Sequence, residues 1–292
     1  MSDKYLQDIL DSQNISDDSQ EMKALCERRD EVEKLLREKF AGSDLTIDTG
    51  GSMAKGTMNK ESYDLDLICY FAHEDTTAGE SLKEIYESVE SALKEDYYIE
   101  RKTSALRLHS RDPRERVDFH VDVVPGRYVD GNDGDVFLHQ TSGDKNWLKT
   151  NLNVHISHIK NGQVTGAIRL LKLWRVRNRL SVRTFVLELL AVELLKQKKT
   201  AKLTDQLKHV WTKLCDEISR IAVEDPANPT GNDLSDQFND SIKQELSLTA
   251  AQTIELIDKE GWEMVFGTVS ARATASVIVP SFTVRPRGSF GE

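Results

Sequence analysis

Cysteine, proline and long apolar runs are all scarce in this sequence. The three cysteines among 292 residues, Cys26, Cys69 and Cys215, form no CxxC pair and no Cys/His cluster. They read as reduced structural thiols, which points to a cytoplasmic setting. No stretch approaches the ~18 consecutive apolar residues of a membrane helix. The opening MSDKYLQDIL also lacks a basic segment followed by an apolar one, so a soluble, unprocessed chain with no membrane partner is expected. Only 6 prolines and 16 glycines exclude a collagenous or low-complexity chain. Positive charge is short as well: 39 Lys and Arg against 49 Asp and Glu leave a net charge of −10, which disfavours a surface built to neutralise a long duplex.

What is present suits a folded α+β protein, as one large domain or two closely packed ones. From Asp18 to Phe40 apolar residues recur at helical spacing, Asp18 and Glu21 can cap the start, and Gly42 follows the end. A short strand at 45–48 leads to a glycine pair, a small helical stretch and the alternating run YDLDLICYF, read as a buried strand. A helix over 81–94 and strands at 97–102, 105–109 and 115–124 follow, the last closed by Pro125 and Gly126. Beyond the turn-rich GRYVDGNDGD the pattern predicts helices at 165–178, 181–198 and 205–223, with two weaker ones past Asp233. The expected division is a lobe over 1–150, a helical lobe over 151–267 and an extended tail over 268–292.

The chemistry concentrates between Gly50 and Phe71. Gly50, Gly51 and Ser52 offer a tight turn at a helix start, a candidate phosphate cradle, although such a turn is also an ordinary strand-to-helix connection. Asp64 and Asp66, two apart on the predicted strand, project from one face while Leu65 and Leu67 face the core. Paired carboxylates repel, and a divalent cation relieves them; oxygen ligands suit Mg²⁺ or Mn²⁺. RVDFHVDVVPG adds Asp118, His120 and Asp122 on one face of a second strand, one of which should complete the set. Three carboxylates can hold two metal ions for phosphoryl transfer. Arg169, Lys172, Arg175, Arg177, Arg179 and Arg183 form a basic run without an acid, in which Arg169 and Lys172 can share a helix face toward a triphosphate. Arg175, Arg177 and Arg179 read individually as a solvated face paired with acids.

Together these residues resemble the DNA polymerase β-type nucleotidyltransferase superfamily. GGSMAKGTMNKESYDLDLICYF is similar to the matching stretch of the 2′-5′-oligoadenylate synthetases and of their bacterial relatives, the CD-NTases. VDVVPG resembles a strand of those enzymes, which selects Asp122 as the third metal ligand. RLLKLWRV followed by FVLELLAVELL resembles their helical pair, EDPANPTGNDL their DPxNPxxN turn, and GWEMVFG their terminal helix motif.

The resemblance covers roughly residues 45 to 267. It implies a polymerase-β-like core with a mixed sheet, a helical C-terminal lobe and a nucleotide cleft between them. It implies catalytic and metal-binding roles for Asp64, Asp66 and Asp122 with two Mg²⁺ or Mn²⁺ ions, and nucleotide contacts from Gly51, Ser52, Lys172, Thr184 and Phe185. ATP and other nucleoside triphosphates would be substrates. The product would be a cyclic di- or trinucleotide, or a short linear oligonucleotide, acting on an effector protein in anti-phage signalling, with a regulatory protein as a further partner. The Cys/His insertion that forms a zinc site in animal cyclic GMP-AMP synthase is absent, and so are extra basic segments for a duplex, so a nucleic-acid activator is not expected. An RNA terminal nucleotidyltransferase would share the acids but needs a basic path for its substrate. A short protein-modifying nucleotidyltransferase is disfavoured by length, and a non-catalytic nucleotide-binding scaffold by the presence of all three acids. The end GSFGE is read as a frayed terminus or a handle for regulation.

Overall fold

A computed structural model describes residues 2–112, 121–130, 134–143 and 145–269. Asp118, His120 and the tail from 270 onward lie outside the described residues.

The chain opens with α1 (Ser2–Ser12) and α2 (Gln20–Lys39), then β1 (Leu45–Thr49), the short α3 (Gly51–Lys55), β2 (Leu65–Phe71), α4 (Leu82–Leu93), β3 (Tyr97–Arg101), β4 (Leu106–Ser110) and β5 (Val121–Tyr128). A hairpin of β6 (Val136–His139) and β7 (Trp147–Thr150) precedes α5 (Leu152–Gly162), α6 (Thr165–Arg177), α7 (Thr184–Leu194), α8 (Leu203–Asp216), α9 (Asp240–Glu260) and α10 (Glu263–Phe266). α2 starts one residue later than the sequence indicated: Ser19, not Asp18, is the cap, its side chain accepting the Met22 amide. α4 carries a complete capping box between Ser81 and Glu84.

The seven strands form one mixed sheet in the order β1-β2-β5-β4-β3, with β6 on the far part of β5 and β7 beyond it. β2 and β5 run parallel, while the other pairs are antiparallel. β5 does not end at Pro125 and Gly126 as the sequence suggested. β4 pairs it only as far as Val123 and β6 only from Gly126, so Pro125 sits where the neighbour changes and no ladder donor is needed on that side.

Period-two alternation gives the sheet two different faces. Leu65, Leu67, Cys69, Phe71, Val121 and Val123 enter one core with α2 and α4. Asp66, Ile68 and Tyr70 point the other way, where Ile68 and Tyr70 pack with Val136, Leu138 and Leu152. The C-terminal helices bury a second core around Trp174, Trp211 and Phe266. α1 joins that core through Leu6, Ile9 and Leu10, so the first helix packs with the C-terminal helices rather than with the sheet. All three cysteines are free thiols. Among the described residues no helix is long and apolar enough to cross a membrane.

The link between α3 and β2 joins the two cores. Thr57 meets Lys172, Asn59 meets Arg169 and Glu61 meets Arg177, so alternate residues of one segment contact α6. Truncating fully buried Leu171 to Ala should cost about 2–5 kcal/mol of unfolding free energy in urea titrations. Leu248→Ala, at a residue 58% exposed, should stay within about 0.5 kcal/mol of the parent.

Candidate functional site

Parallel pairing of β2 with β5 sets Asp66 directly beside Asp122. Asp64 precedes the first residue of β2, and so lies just outside the strand the sequence assigned to it, yet it remains within reach of the same partners. Antiparallel pairing of β4 with β5 sets Arg107 beside Asp122 from the opposite side. Its guanidinium grips Asp122 in a bidentate pair, Nε to Oδ1 at 2.7 Å and a terminal nitrogen to Oδ2 at 2.8 Å. The same nitrogen donates to Asp64 Oδ2 at 3.2 Å. This pairing pushes the Arg107 pKa further up from its already high value, the hydrogen bonds to Asp122 outweighing burial.

Among the described residues Asp66 has no such partner. Burial, with the like charges of Asp122 and Asp64 beside it, pushes its pKa up to about 6. Gly51 sits against it in the left-handed region at φ +57, where an added Cβ would lie 1.5 Å from Asp66 Oδ2. The Gly50 amide donates to the Asp66 carbonyl at 2.8 Å, which ties the turn to the strand. Ser52 follows as the second residue of α3. The structure therefore brings Asp64, Asp66 and Asp122 together beside Gly51, with Ser52 next along α3.

The donor set is oxygen-only and carries three negative charges against one guanidinium, so it suits a hard divalent cation in its chemistry. Among the described residues no group of three His, Cys, Asp or Glu is arranged as a metal centre. Arg107, bonded to Asp64 and Asp122 at once, offsets one of the three negative charges and leaves the set acidic.

The basic run on α6 is used differently from the expected clamp. Arg169 donates to Asn59 Oδ1 at 3.1 Å and to the Leu10 carbonyl at 3.2 Å, Arg175 to the Val182 carbonyl, and Arg177 to Glu61 and the Phe266 carbonyl. Arg169 and Arg175 are thus engaged by backbone and amide oxygens, and Arg177 holds an acid as anticipated but is 9% exposed rather than solvated.

Lys172 is 6% exposed. Its Nζ donates to the Thr57 carbonyl at 2.8 Å, to Thr57 Oγ1 at 3.3 Å and to Glu188 Oε1 at 3.4 Å. Burial lowers its pKa, with Glu188 opposing that trend and Lys55 adding to it. Phe185, in the first turn of α7, packs against the His155 ring at a centroid distance of 4.7 Å and lies 5.7 Å from Lys55 Nζ. Thr184 is the first residue of α7. His155 reaches Asp225 of the DPANP turn at 2.7 Å, and Asn232 donates to the other oxygen of Asp225 at 2.7 Å. Burial alone would raise the Asp225 pKa, but these partners hold it below the usual carboxylate range.

Sequence reasoning missed Arg107, Lys55 and Glu188. Arg107 is one charged position in a strand of five, and only pairing with β5 reveals its target. Glu188 had a local signal, a lone acid within the apolar FVLELLAV.

A family model for the nucleotidyltransferase domain matches residues 29–122. Solved structures match along nearly the whole chain. CdnC of Escherichia coli MS115-1, solved with HORMA-deltaN, superposes with a TM-score of 0.70 at 17% identity, covering 92% of this chain and 98% of the other. The chain has the CD-NTase fold. The CD-NTase CdnG of Bradyrhizobium diazoefficiens, in complex with GTP, also gives 0.70 at 14% identity, over 93% and 96%. The Vibrio cholerae DncV cyclic AMP-GMP synthase, solved with the linear intermediate 5′ pppA(3′,5′)pG, gives 0.62 at 18% identity over 82% and 72%. The comparison with curated proteins returned no match. The mixed sheet and helical C-terminal region agree with the polymerase-β-like CD-NTase architecture expected from the motifs.

Gly51→Ala should destabilise the chain by about 1–3 kcal/mol in urea, since both the positive φ and the contact with Asp66 oppose a methyl group. Asp66→Asn should do the reverse. The folded-state pKa of about 6 lies above the ordinary aspartate value of 3.8, so the native state holds this proton more tightly than the unfolded one. Stability is fullest below the unfolded pKa and falls as pH rises through the folded one. In the presence of a chelator, Asp66→Asn is expected to gain on the order of 1–3 kcal/mol at pH 7.5, a gain that should vanish by about pH 4 in melts across that range.

Proposed function

We propose that the chain is a metal-dependent nucleotidyltransferase. It would join ATP, alone or with other nucleoside triphosphates, into a cyclic di- or trinucleotide or a short linear oligonucleotide. The observation that carries this reading is the Asp66–Asp122 register, which with Asp64 gathers three carboxylates beside the Gly51–Ser52 turn. Residues 1–150, apart from α1, which packs with the C-terminal helices, would supply this catalytic lobe, and 151–267 the helical lobe that closes over the nucleotide.

In the reaction, a ribose hydroxyl of the acceptor nucleotide forms a bond to the donor's α-phosphorus, the bond to the β-phosphate oxygen breaks, and pyrophosphate leaves. Asp64, Asp66 and Asp122 would hold Mg²⁺ or Mn²⁺, two ions on this reading, which when bound would activate the hydroxyl and neutralise the phosphates. On the family resemblance, Asp122, the second residue of β5, would help draw the hydroxyl proton. Gly51 lets the backbone come close to the donor phosphates, where Ser52 offers its hydroxyl. Lys172 contributes positive charge, and Phe185, with its ring against His155, offers a stacking surface to a base. Thr184 places a hydroxyl at the start of α7 on the same side.

On this reading the product is a second messenger in anti-phage defence, made in the cytoplasm and sensed by an effector protein. The solved complex of CdnC with HORMA-deltaN supports a regulatory protein partner for this chain as well.

The test is incubation of purified protein with all four ribonucleoside triphosphates and Mg²⁺ or Mn²⁺, with mass spectrometry after phosphatase treatment. A phosphatase-resistant cyclic species, or a linear oligomer, is expected. Asp64→Asn and Asp122→Asn should lower its yield at least ~100-fold with the fold retained by circular dichroism. A chain that neither binds nucleoside triphosphates nor yields product with RNA or candidate protein partners present overturns the reading.

A further inference from the structure

Glu188 is wholly buried on α7, inside an otherwise apolar stretch. A carboxylate withdrawn from water in this way is costly unless it is paired and hydrogen-bonded. Its partners come from far away in sequence. Lys55, at the end of α3, bonds Glu188 Oε2; Thr57 Oγ1 donates to Oε1 at 2.7 Å; Lys172 on α6 approaches Oε1 at 3.4 Å. Burial alone would raise the Glu188 pKa, but the two ammonium groups and the hydrogen bonds hold it below the usual range.

The two lysines are not equivalent in this cluster. Lys172 directs all three of its N–H groups to protein acceptors, two on Thr57 and one on Glu188. Lys55 directs one of its three to Glu188 and is somewhat more exposed, 11% against 7% for the side chains. It lies beside Phe185, and its charge acts on Asp66. The cluster therefore carries a net charge of +1, with donors left over on the lysine nearer the surface.

We propose that Glu188 is a positioning residue that presents Lys55 to the phosphates of the donor nucleotide, while Lys172 and Thr57 anchor Glu188 from behind. The proposal rests on the reading of the site as one for nucleoside triphosphates, and it assigns the direct contact to Lys55 where the family resemblance pointed to Lys172. The charged groups acting on the lysines are Glu188, Asp66 and each other. Without Glu188, two buried ammonium groups would face one another with only Asp66 to offset them. Lys172, which burial already lowers, would then lose its proton at lower pH, and Lys55 would lose its anchor.

The probe is α,β-methylene-ATP, whose α–β bridge cannot be cleaved, with adenosine as the control lacking phosphates. Both are titrated calorimetrically into the full chain with Mg²⁺. Glu188→Gln and Lys55→Met are each expected to weaken the analogue about tenfold at pH 7.5 and to leave adenosine unchanged. The double variant should be no worse than either alone, Lys55→Arg should restore most of the affinity, and the Glu188→Gln deficit should grow between pH 7 and pH 9. Wild-type affinity in Glu188→Gln, a parallel loss of adenosine, or additive losses in the double variant would overturn the proposal. Should Glu188→Gln fail to fold, Lys55→Met decides: unchanged affinity for the analogue overturns it. A parent chain that binds the analogue in none of these assays overturns the functional reading itself, and with it this proposal. A parent that binds it while the variants match overturns this proposal alone.

Discussion

Three carboxylates forced together on adjacent strands are the constraint around which this structure is organised. Strand pairing places Asp66 beside Asp122 whatever the electrostatic cost, because the alternating Leu65, Leu67, Val121 and Val123 must face the core under α2 and α4. The register is thus set by the apolar face, and the polar face inherits the repulsion. Arg107 relieves it for Asp122 and Asp64, while Asp66 remains the group that bears it, with its proton held to about pH 6. Such an arrangement costs stability in the isolated chain and is the kind of conflict between local and global preference that marks a functional site.

The same compensation recurs on the helical side with the signs reversed. There the excess charge is positive, and a single buried acid, Glu188, gathers two lysines. The two clusters are close enough for each to feel the other, since Lys55 lowers the Asp66 pKa and Asp66 raises that of Lys172. Together they form a dipole across the junction of sheet and helices, with carboxylates at β2 and β5 and ammonium groups on α3 and α6. A substrate that carries metal-bound phosphates would match both halves, since it brings positive charge to the carboxylates and negative charge to the lysines.

How much of this was legible in the sequence follows from how far apart the partners lie. Gly51, Ser52, Asp64 and Asp66 fall within sixteen residues, and alternation alone identifies the buried face of their strand. Alternation on the later strand left Asp118, His120 and Asp122 open, and the resemblance of VDVVPG to the family motif selected Asp122. Arg107 belongs to a neighbouring strand, and only its register with Asp122 reveals what it does. Glu188 is 131 residues from Thr57, so no local pattern could name its partners, although an acid in an apolar run was itself a sign of burial. The β6–β7 hairpin and α5 were missed for a different reason. The hairpin's four-residue strands are flanked by Gly, Asp and Ser, and α5 (LNVHISHIKNG) is built largely from weak helix formers such as Asn, Val, His and Ser, so tertiary packing rather than local pattern decides both. Pro125 misled through a valid rule, since proline does interrupt ladders, but here the ladder changes partners at that residue.

The segment from Lys55 to Glu61 explains how the two halves stay in register with each other. Its alternate residues engage α6 and α7, ending in the Glu61–Arg177 ion pair, and Gln13 from the turn after α1 closes the far end by bonding Glu61. Every one of these contacts uses a polar group that is largely withdrawn from water, so a shift of the segment would leave several buried donors and acceptors unpaired at once. That makes the junction stiff and particular, in contrast to an apolar interface, which could slide by a fraction of a turn at little cost. The basic run on α6 is therefore better understood as the inner wall of this junction than as a clamp. Its arginines fix the helix against the segment that carries Thr57, and by fixing Thr57 they fix the acid and the lysines around it.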